Sequence, residues 1–315
     1  MKITVLDAAT LGEDVTFEKW EALGEVTVHK TTPAEEVVNR LKGSDVAILN
    51  KVKITKEVIM ALDTLKLICV TATGYDNIDL AACKEKGVAV CNVKGYSTHS
   101  VAQVTITLAL ALMTHLAEYS ECVKSGDYTK SGIQNRLTPV FHELYGKTFG
   151  VVGLGNIGKQ VARVAEAFGC KVLCFKRTPD PQFNCVDLKT LLRESDVVTL
   201  HLPLSEETKN IIGEKELELM KKSAILVNAA RGAVTDEKAV ADAIINGDIG
   251  GFATDVYSVE PLQSDSPLQK IKDFNNVILT PHMAWGAYES RVRCIDEIAQ
   301  NITAFFGGES RNRII

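Results

Sequence analysis

Residues 148–169 read TFGVVGLGNIGKQVARVAEAFG, and this stretch restricts the fold more than any other. A strand-like apolar run passes through Gly153, Gly155 and Gly158 into a segment of helical, amphipathic period. The first glycine permits a tight turn, the second lets main chain approach a pyrophosphate, and the third allows a helix to lie close on a strand. Asn156 and Ile157 open the helix, whose free N–H groups suit phosphate oxygens. A bare G-x-G-x-x-G carries little. With a strand before it and a helix after it, the motif predicts dinucleotide binding, against the plainer reading of a structural strand–turn–helix.

The rest of the chain repeats that alternation. KITVLD, EVTVH, VAILN, LKLICVTAT and VAVCNV form a first series of strand-like runs. TFGVVGLG, KVLCF, VVTLHLP, SAILVNAA, GFATDVY and NVILTP form a second, with helix-compatible segments between. The pattern predicts an α/β protein with two doubly wound parallel sheets, each covered by helices on both faces. At 315 residues, two domains are favoured over one. No low-complexity linker separates the series, so the boundary is expected at one end of the apolar segment that begins near Ser100. The final segment, GAYESRVRCIDEIAQNITAFF, has helical period and can fold back on either unit.

Composition narrows the function. Lys plus Arg number 35 against 40 Asp plus Glu, a net charge of −5, which argues against nucleic acid or an anionic membrane as partner. The eight cysteines are scattered without a C-x-x-C pair, as expected of buried thiols in a reducing compartment, with no disulfide framework and no metal site. MKITVLDAAT lacks the layout of a signal peptide, so a cytoplasmic protein is expected. SVAQVTITLALALMTHLAEYS is interrupted by Gln103, Thr105, Thr107, Thr114 and His115, and is read as one helix buried on most sides rather than a membrane span.

In a nucleotide-binding unit of this kind, an acid near position 176 grips the ribose 2′-hydroxyl. This chain has GCKVLCFKRTPD there, with Lys176, Arg177 and Thr178 in place of a carboxylate. Two cations and a hydroxyl suit the extra phosphate of NADP, which predicts NADP over NAD. In the plainer reading these are surface charges, and Asp180 or Asp187 supplies a substitute acid.

Three later segments, NAARGAVTDEKAV, TDVYSVEPL and LTPHMAW, each place an ionisable side chain just after a predicted strand: Arg231, Glu260 and His282. Singly, each has an ordinary reading as a solvated charge, a turn residue or a satisfied core histidine. Together they match what a nicotinamide reaction on a keto acid needs: a cation for the carboxylate, a proton donor for the nascent alkoxide, and a partner that keeps the donor charged.

The order GLGNIG, NAARG, DVYSVEP, PHMAW resembles the D-isomer-specific 2-hydroxyacid dehydrogenases and spans nearly the whole chain. VLDAATLG, ATGYDNID and GYSTHSVAQ resemble the glycerate dehydrogenase, or hydroxypyruvate reductase, branch. The resemblance implies a discontinuous, flavodoxin-like substrate domain of residues 1–98 plus 287–315, clamped against a Rossmann cofactor domain of residues 99–286. It also implies a homodimer built largely on the helix after Ser100, in accord with that helix being too apolar for a free face. Arg231 would fork onto the substrate carboxylate and carbonyl, His282 would protonate the carbonyl oxygen, and Glu260 would hold the imidazole. The main-chain N–H groups of Thr73 and Gly74 would cap the carboxylate, and Asp255 would orient the nicotinamide amide.

Neighbouring families fit less well. Phosphoglycerate dehydrogenases tend to carry arginine where this chain has Val70, and formate dehydrogenases carry glutamine where it has Pro281. A nucleotide-sensing corepressor would share the fold and the three residues, but would turn over no small keto acid. Trp285 either walls the substrate pocket or anchors the final helix, and Lys51 either reaches the substrate or is a solvated loop lysine. Hydroxypyruvate and glyoxylate are the expected substrates, reduced to the D-hydroxy acid.

Overall fold

The continuous apolar runs become parallel strands. The computed structural model describes residues 1–315. Its elements begin with β1 (Lys2–Val5), α1 (Glu18–Glu21), β2 (Glu25–Val28), α2 (Val37–Leu41), β3 (Val46–Leu49), α3 (Lys56–Met60), β4 (Leu67–Val70), α4 (Leu80–Lys86) and β5 (Ala89–Cys91). Next come α5 (Thr98–Met113), α6 (Leu116–Lys124), α7 (Asp127–Ser131), β6 (Thr148–Val152), α8 (Asn156–Ala167), β7 (Lys171–Phe175), α9 (Leu188–Glu194) and β8 (Val197–Leu200). The chain ends with α10 (Glu214–Leu217), β9 (Ile225–Asn228), α11 (Glu237–Asn246), β10 (Gly251–Thr254), β11 (Val277–Leu279) and α12 (Tyr288–Phe306). Two units form: Met1–Ser97 with Gly286–Ile315, and Thr98–Trp285.

In the first unit the strands lie in the order β2-β1-β3-β4-β5, all parallel. Every residue of β3 and β4 is buried, which is why those strands read as unbroken apolar runs, whereas edge strand β2 is mostly exposed. The last helix, α12, returns to this unit and packs on β4. Trp20, fully buried, donates its indole N–H to the carbonyl of Ile295 at 3.0 Å. The C-terminal residues then cover the β5 edge through an antiparallel bridge between Cys91 and Arg313. At the other end of β1, the buried Asp7 carboxylate accepts the N–H groups of Asn50, Lys51 and Val52 at 2.7–3.1 Å, so the loop after β3 is held by the loop after β1.

The second unit has six strands in the order β11-β10-β9-β8-β6-β7, all parallel. Beyond β7 a single parallel bridge joins Cys174 to Cys185. Counting that bridge as a vestigial third strand restores the nucleotide-binding order 3-2-1-4-5-6 from the outer edge, with β11 added as a seventh strand and the reversal between β6 and β8. One face of the sheet packs Leu191, Leu226, Val240 and Phe252, and the other packs α5 and α8 through Ala109, Phe149, Val161 and Ala165.

The apolar stretch after Ser100 is two helices where one was expected. His115 adopts φ of +50°, and α5 and α6 diverge by 65°. The threonine hydroxyls that interrupt it are absorbed by the helix itself: Thr105 donates to Val101 O and Thr114 to Leu110 O, each four residues back. Eight of the 16 residues of α5 are buried, among them Val101, Ile106, Leu108 and Leu112. The exposed apolar side chains lie further on, at Leu116, Val123, Ile133, Leu137, Val140 and Phe141. No single helix is long and apolar enough to cross a membrane.

Candidate active site

Strand register in the second unit sets the site. Asn228, Thr254 and Leu279 are partners across β9, β10 and β11, so three adjacent strands end at one level and their loops leave side by side. Arg231, Glu260 and His282 stand on those three loops.

His282 Nδ1 lies 2.7 Å from Glu260 Oε2, with the two side chains 26% and 30% exposed. The carboxylate therefore occupies one ring nitrogen and leaves Nε2 as the nitrogen able to pass a proton outward. The second Glu260 oxygen accepts the Tyr257 N–H at 3.3 Å. His282 has φ of +53°, an unusual backbone conformation for a residue with a side chain. Asp255, 1% exposed, holds that turn. One of its oxygens accepts the Thr280 hydroxyl at 2.7 Å and the Met283 N–H at 2.9 Å, and the other accepts the Ala284 N–H at 2.8 Å.

Arg231 is half-buried and donates to the carbonyl of Ala230 at 2.8 Å. No carboxylate of the protein pairs with it, so its fork remains available to an acid from outside. Asn228, fully buried, shapes the turn, accepting the Ala230 N–H and donating to the Arg231 carbonyl at 3.0 Å. Gly232 then passes so close to the next loop that a Cβ would sit 1.9 Å from the Tyr257 carbonyl carbon. Only glycine lets the arginine turn and the glutamate loop meet.

The glycine loop fits a dinucleotide. A Cβ at Gly158 would lie 2.0 Å from the Gly153 carbonyl oxygen, and one at Gly153 (φ +98°) would lie 2.7 Å from the main chain of His201. Protein contacts therefore account for both residues. At Gly155 a Cβ would meet no protein atom within 4 Å, so the protein itself does not use the space beside the start of α8. That is the room a pyrophosphate needs next to the N–H groups of Asn156, Ile157 and Gly158.

At the end of β7, Lys176 makes no hydrogen bond or ion pair, and Thr178 is exposed beside it. Arg177 lies 3.2 Å from Glu207. Neither candidate substitute acid is idle: Asp180 pairs with Lys159 of α8 at 2.7 Å, and Asp187 caps α9 through Thr190. Lys159, followed by the backbone of Gln182, holds the Asp180 carboxyl below the usual range.

His201, on the same sheet edge after β8, is no rival proton donor. Burial pushes its imidazole down to about 3, so it is neutral at physiological pH. In the first unit, the Thr73 hydroxyl donates to Val93 O at 2.8 Å and its carbonyl accepts from Asn92 at 2.7 Å, fixing the turn before Gly74. Lys51 stands on the loop held by Asp7, and Trp285 is half-buried as the last residue of the second unit.

The model of the D-isomer-specific 2-hydroxyacid dehydrogenase NAD-binding domain matches residues 106–284. The chain belongs to the D-isomer-specific 2-hydroxyacid dehydrogenase family. The chain is 39% identical over 312 residues to a glycerate dehydrogenase of Methylorubrum extorquens, covering 99% of this chain and 98% of the relative. It is 35% identical over 321 residues to a hydroxypyruvate reductase of Blautia hydrogenotrophica, covering 99% of each. An acyclic imino acid reductase solved with NADPH and D-arginine has the same fold, with a TM-score of 0.88, 31% identity and both chains covered in full. The dehydrogenase is thus a nicotinamide-dependent oxidoreductase of small 2-keto and 2-hydroxy acids.

Sequence reasoning passed over several residues that hold the dehydrogenase's site. Asn228 carries a readable signal, since asparagine heading a turn bonds its own backbone two residues on. Glu237, which accepts the Ser258 N–H at 2.6 Å, and Glu207 carry none, because their partners lie 21 and 30 residues away.

Proposed function

We propose that the enzyme reduces hydroxypyruvate or glyoxylate to the D-hydroxy acid, with NADPH preferred to NADH. The observation that carries the chemistry is the 2.7 Å contact of His282 with Glu260 beside Arg231, whose guanidinium has no carboxylate partner in the protein. The names of the two full-length relatives favour hydroxypyruvate among small keto acids.

Held at Gly153, Gly155, Asn156, Ile157 and Gly158, a nicotinamide cofactor would supply the hydride to C2. Arg231 binds the substrate carboxylate and carbonyl oxygen through its planar fork. His282 delivers the proton from Nε2 to the oxygen that becomes alkoxide, and Glu260 stabilises the imidazolium and fixes the ring by its bond to Nδ1. Thr73 and Gly74 are assigned the substrate carboxylate, Trp285 a wall of the substrate site, and Asp255 the nicotinamide amide. Residues 1–98 with 287–315 act as the substrate domain and residues 99–286 as the cofactor domain.

The NADPH preference is supported by unpaired Lys176, by Arg177 and Thr178 beside it, and by the commitment of Asp180 and Asp187 to other bonds. A homodimer is supported by the apolar groups exposed between Leu116 and Phe141, and residence in the cytoplasm by eight free cysteines. Steady-state reduction of hydroxypyruvate, glyoxylate, pyruvate and phosphohydroxypyruvate with each cofactor tests the reading. It falls if hydroxypyruvate and glyoxylate are both poorer than pyruvate or the phosphorylated acid, and its cofactor half falls if NADH gives the higher kcat/KM.

A further inference from the structure

We propose that Glu207 is a discriminating counter-charge: it lies against Arg177 and weakens the enzyme's hold on the 2′-phosphate of NADPH, so that NADH remains usable. The inference rests on the reading that Lys176 and Arg177 face that phosphate.

Two carboxylates approach the segment Lys176–Asp180, and they differ in kind. The Asp180 side chain is only 13% exposed, pairs with Lys159 at 2.7 Å and accepts the Gln182 N–H at 3.1 Å. It is part of the structure and stays there. Glu207 comes from the loop after β8, on the far side of the sheet's reversal point, and meets Arg177 at 3.2 Å with the two side chains 77% and 88% exposed. Such a pair opens at little cost.

The position of Glu207 is nevertheless not left to chance. The Thr208 hydroxyl donates to Pro203 O at 2.7 Å and accepts the Ser205 N–H at 2.8 Å, closing a turn that presents Glu207 toward β7.

The charges then decide the effect. Lys176 and Arg177 together carry +2, and Glu207 reduces the local sum to +1, while the Lys159–Asp180 pair contributes zero. A phosphate monoester carries roughly −1.5 to −2 near neutral pH. The site with Glu207 is under-compensated for NADPH, and a neutral residue there would bring it close to balance. NADH has no phosphate at this place, so the charge there bears less on its binding.

Equilibrium binding of NADPH and NADH to the whole enzyme, read by nucleotide fluorescence, tests this in wild type, Glu207→Gln, Arg177→Ala and the double variant. Arg177→Ala should lower the preference for NADPH. Glu207→Gln should raise it by about two- to five-fold, the range of an exposed ion pair, and the rise should vanish when Arg177 is absent and shrink at high salt. If Arg177→Ala leaves the preference unchanged, the NADPH reading itself fails. If Arg177→Ala lowers it but Glu207→Gln does not raise it, or raises it equally without Arg177, the role of Glu207 is overturned and the NADPH reading stands.

Discussion

The two ends of the nucleotide-binding edge are built on opposite principles. At the ends of β9, β10 and β11 the functional side chains are held by buried bonds to main chain: Asp255 takes two N–H groups and a hydroxyl, and Asn228 shapes the arginine turn. At the end of β7 the charge-bearing pair Arg177 and Glu207 stands in solvent, Arg177 at 88% exposure, with Lys176 half-buried beside it. Chemistry needs atoms placed to a fraction of an ångström, which buried bonds supply. Choosing between two cofactors needs only a local excess of charge, which exposed groups supply and salt screens.

The largest test of that contrast is at the first end. His282→Ala and Arg231→Ala should each lower kcat/KM for keto-acid reduction by about 10²–10⁴-fold while NADPH affinity stays near wild type. Retention of more than a tenth of the activity would remove that residue from the chemistry. Glu260→Gln should cost less, ~10–100-fold, because the imidazole loses the carboxylate that holds Nδ1 and fixes the ring. Wild-type kcat/KM in Glu260→Gln would break the dyad.

Between the ends lies the glycine loop, where two substitutions separate packing from binding. Gly155→Ala should leave the thermal midpoint unchanged and weaken both cofactors by roughly ten-fold, since its Cβ would enter only the ligand's space. Gly158→Ala should instead destabilise the protein by ~1–3 kcal/mol, because its Cβ strikes the Gly153 carbonyl. Equal thermal shifts in the two would mean that Gly155 serves packing after all. The smallest effect is expected at the exposed end: Lys176→Ala should lower the NADPH/NADH ratio only about two- to ten-fold, less at high ionic strength, with activity on NADH retained. A loss of equal size for NADH would show that Lys176 does not read the phosphate.

The fold class was legible because period and punctuation are local. Short β-branched, mostly apolar runs such as VAIL and VVTL, bounded by turn residues, fit strands buried on both faces, and three spaced glycines between a strand and a helix leave few alternatives. The break at His115 was not legible. One left-handed residue, His115 at φ +50°, turns the chain there without changing the apolar pattern on either side. The vestigial strand at Cys185 was equally hidden, being one residue long.

The sequence by itself therefore determined what its short-range patterns can encode: two parallel sheets, a dinucleotide loop, and three ionisable residues each just beyond a strand. Only the tertiary structure decided how the charges are shared out. It turned Asp180 to Lys159, brought Glu207 from 30 residues away to Arg177, and set at 2.7 Å the contact of His282 with Glu260 that the family resemblance implied. Each of these pairings depends on which strands lie side by side, and neighbours in a doubly wound sheet are set by crossovers that leave no mark on the residues they bring together.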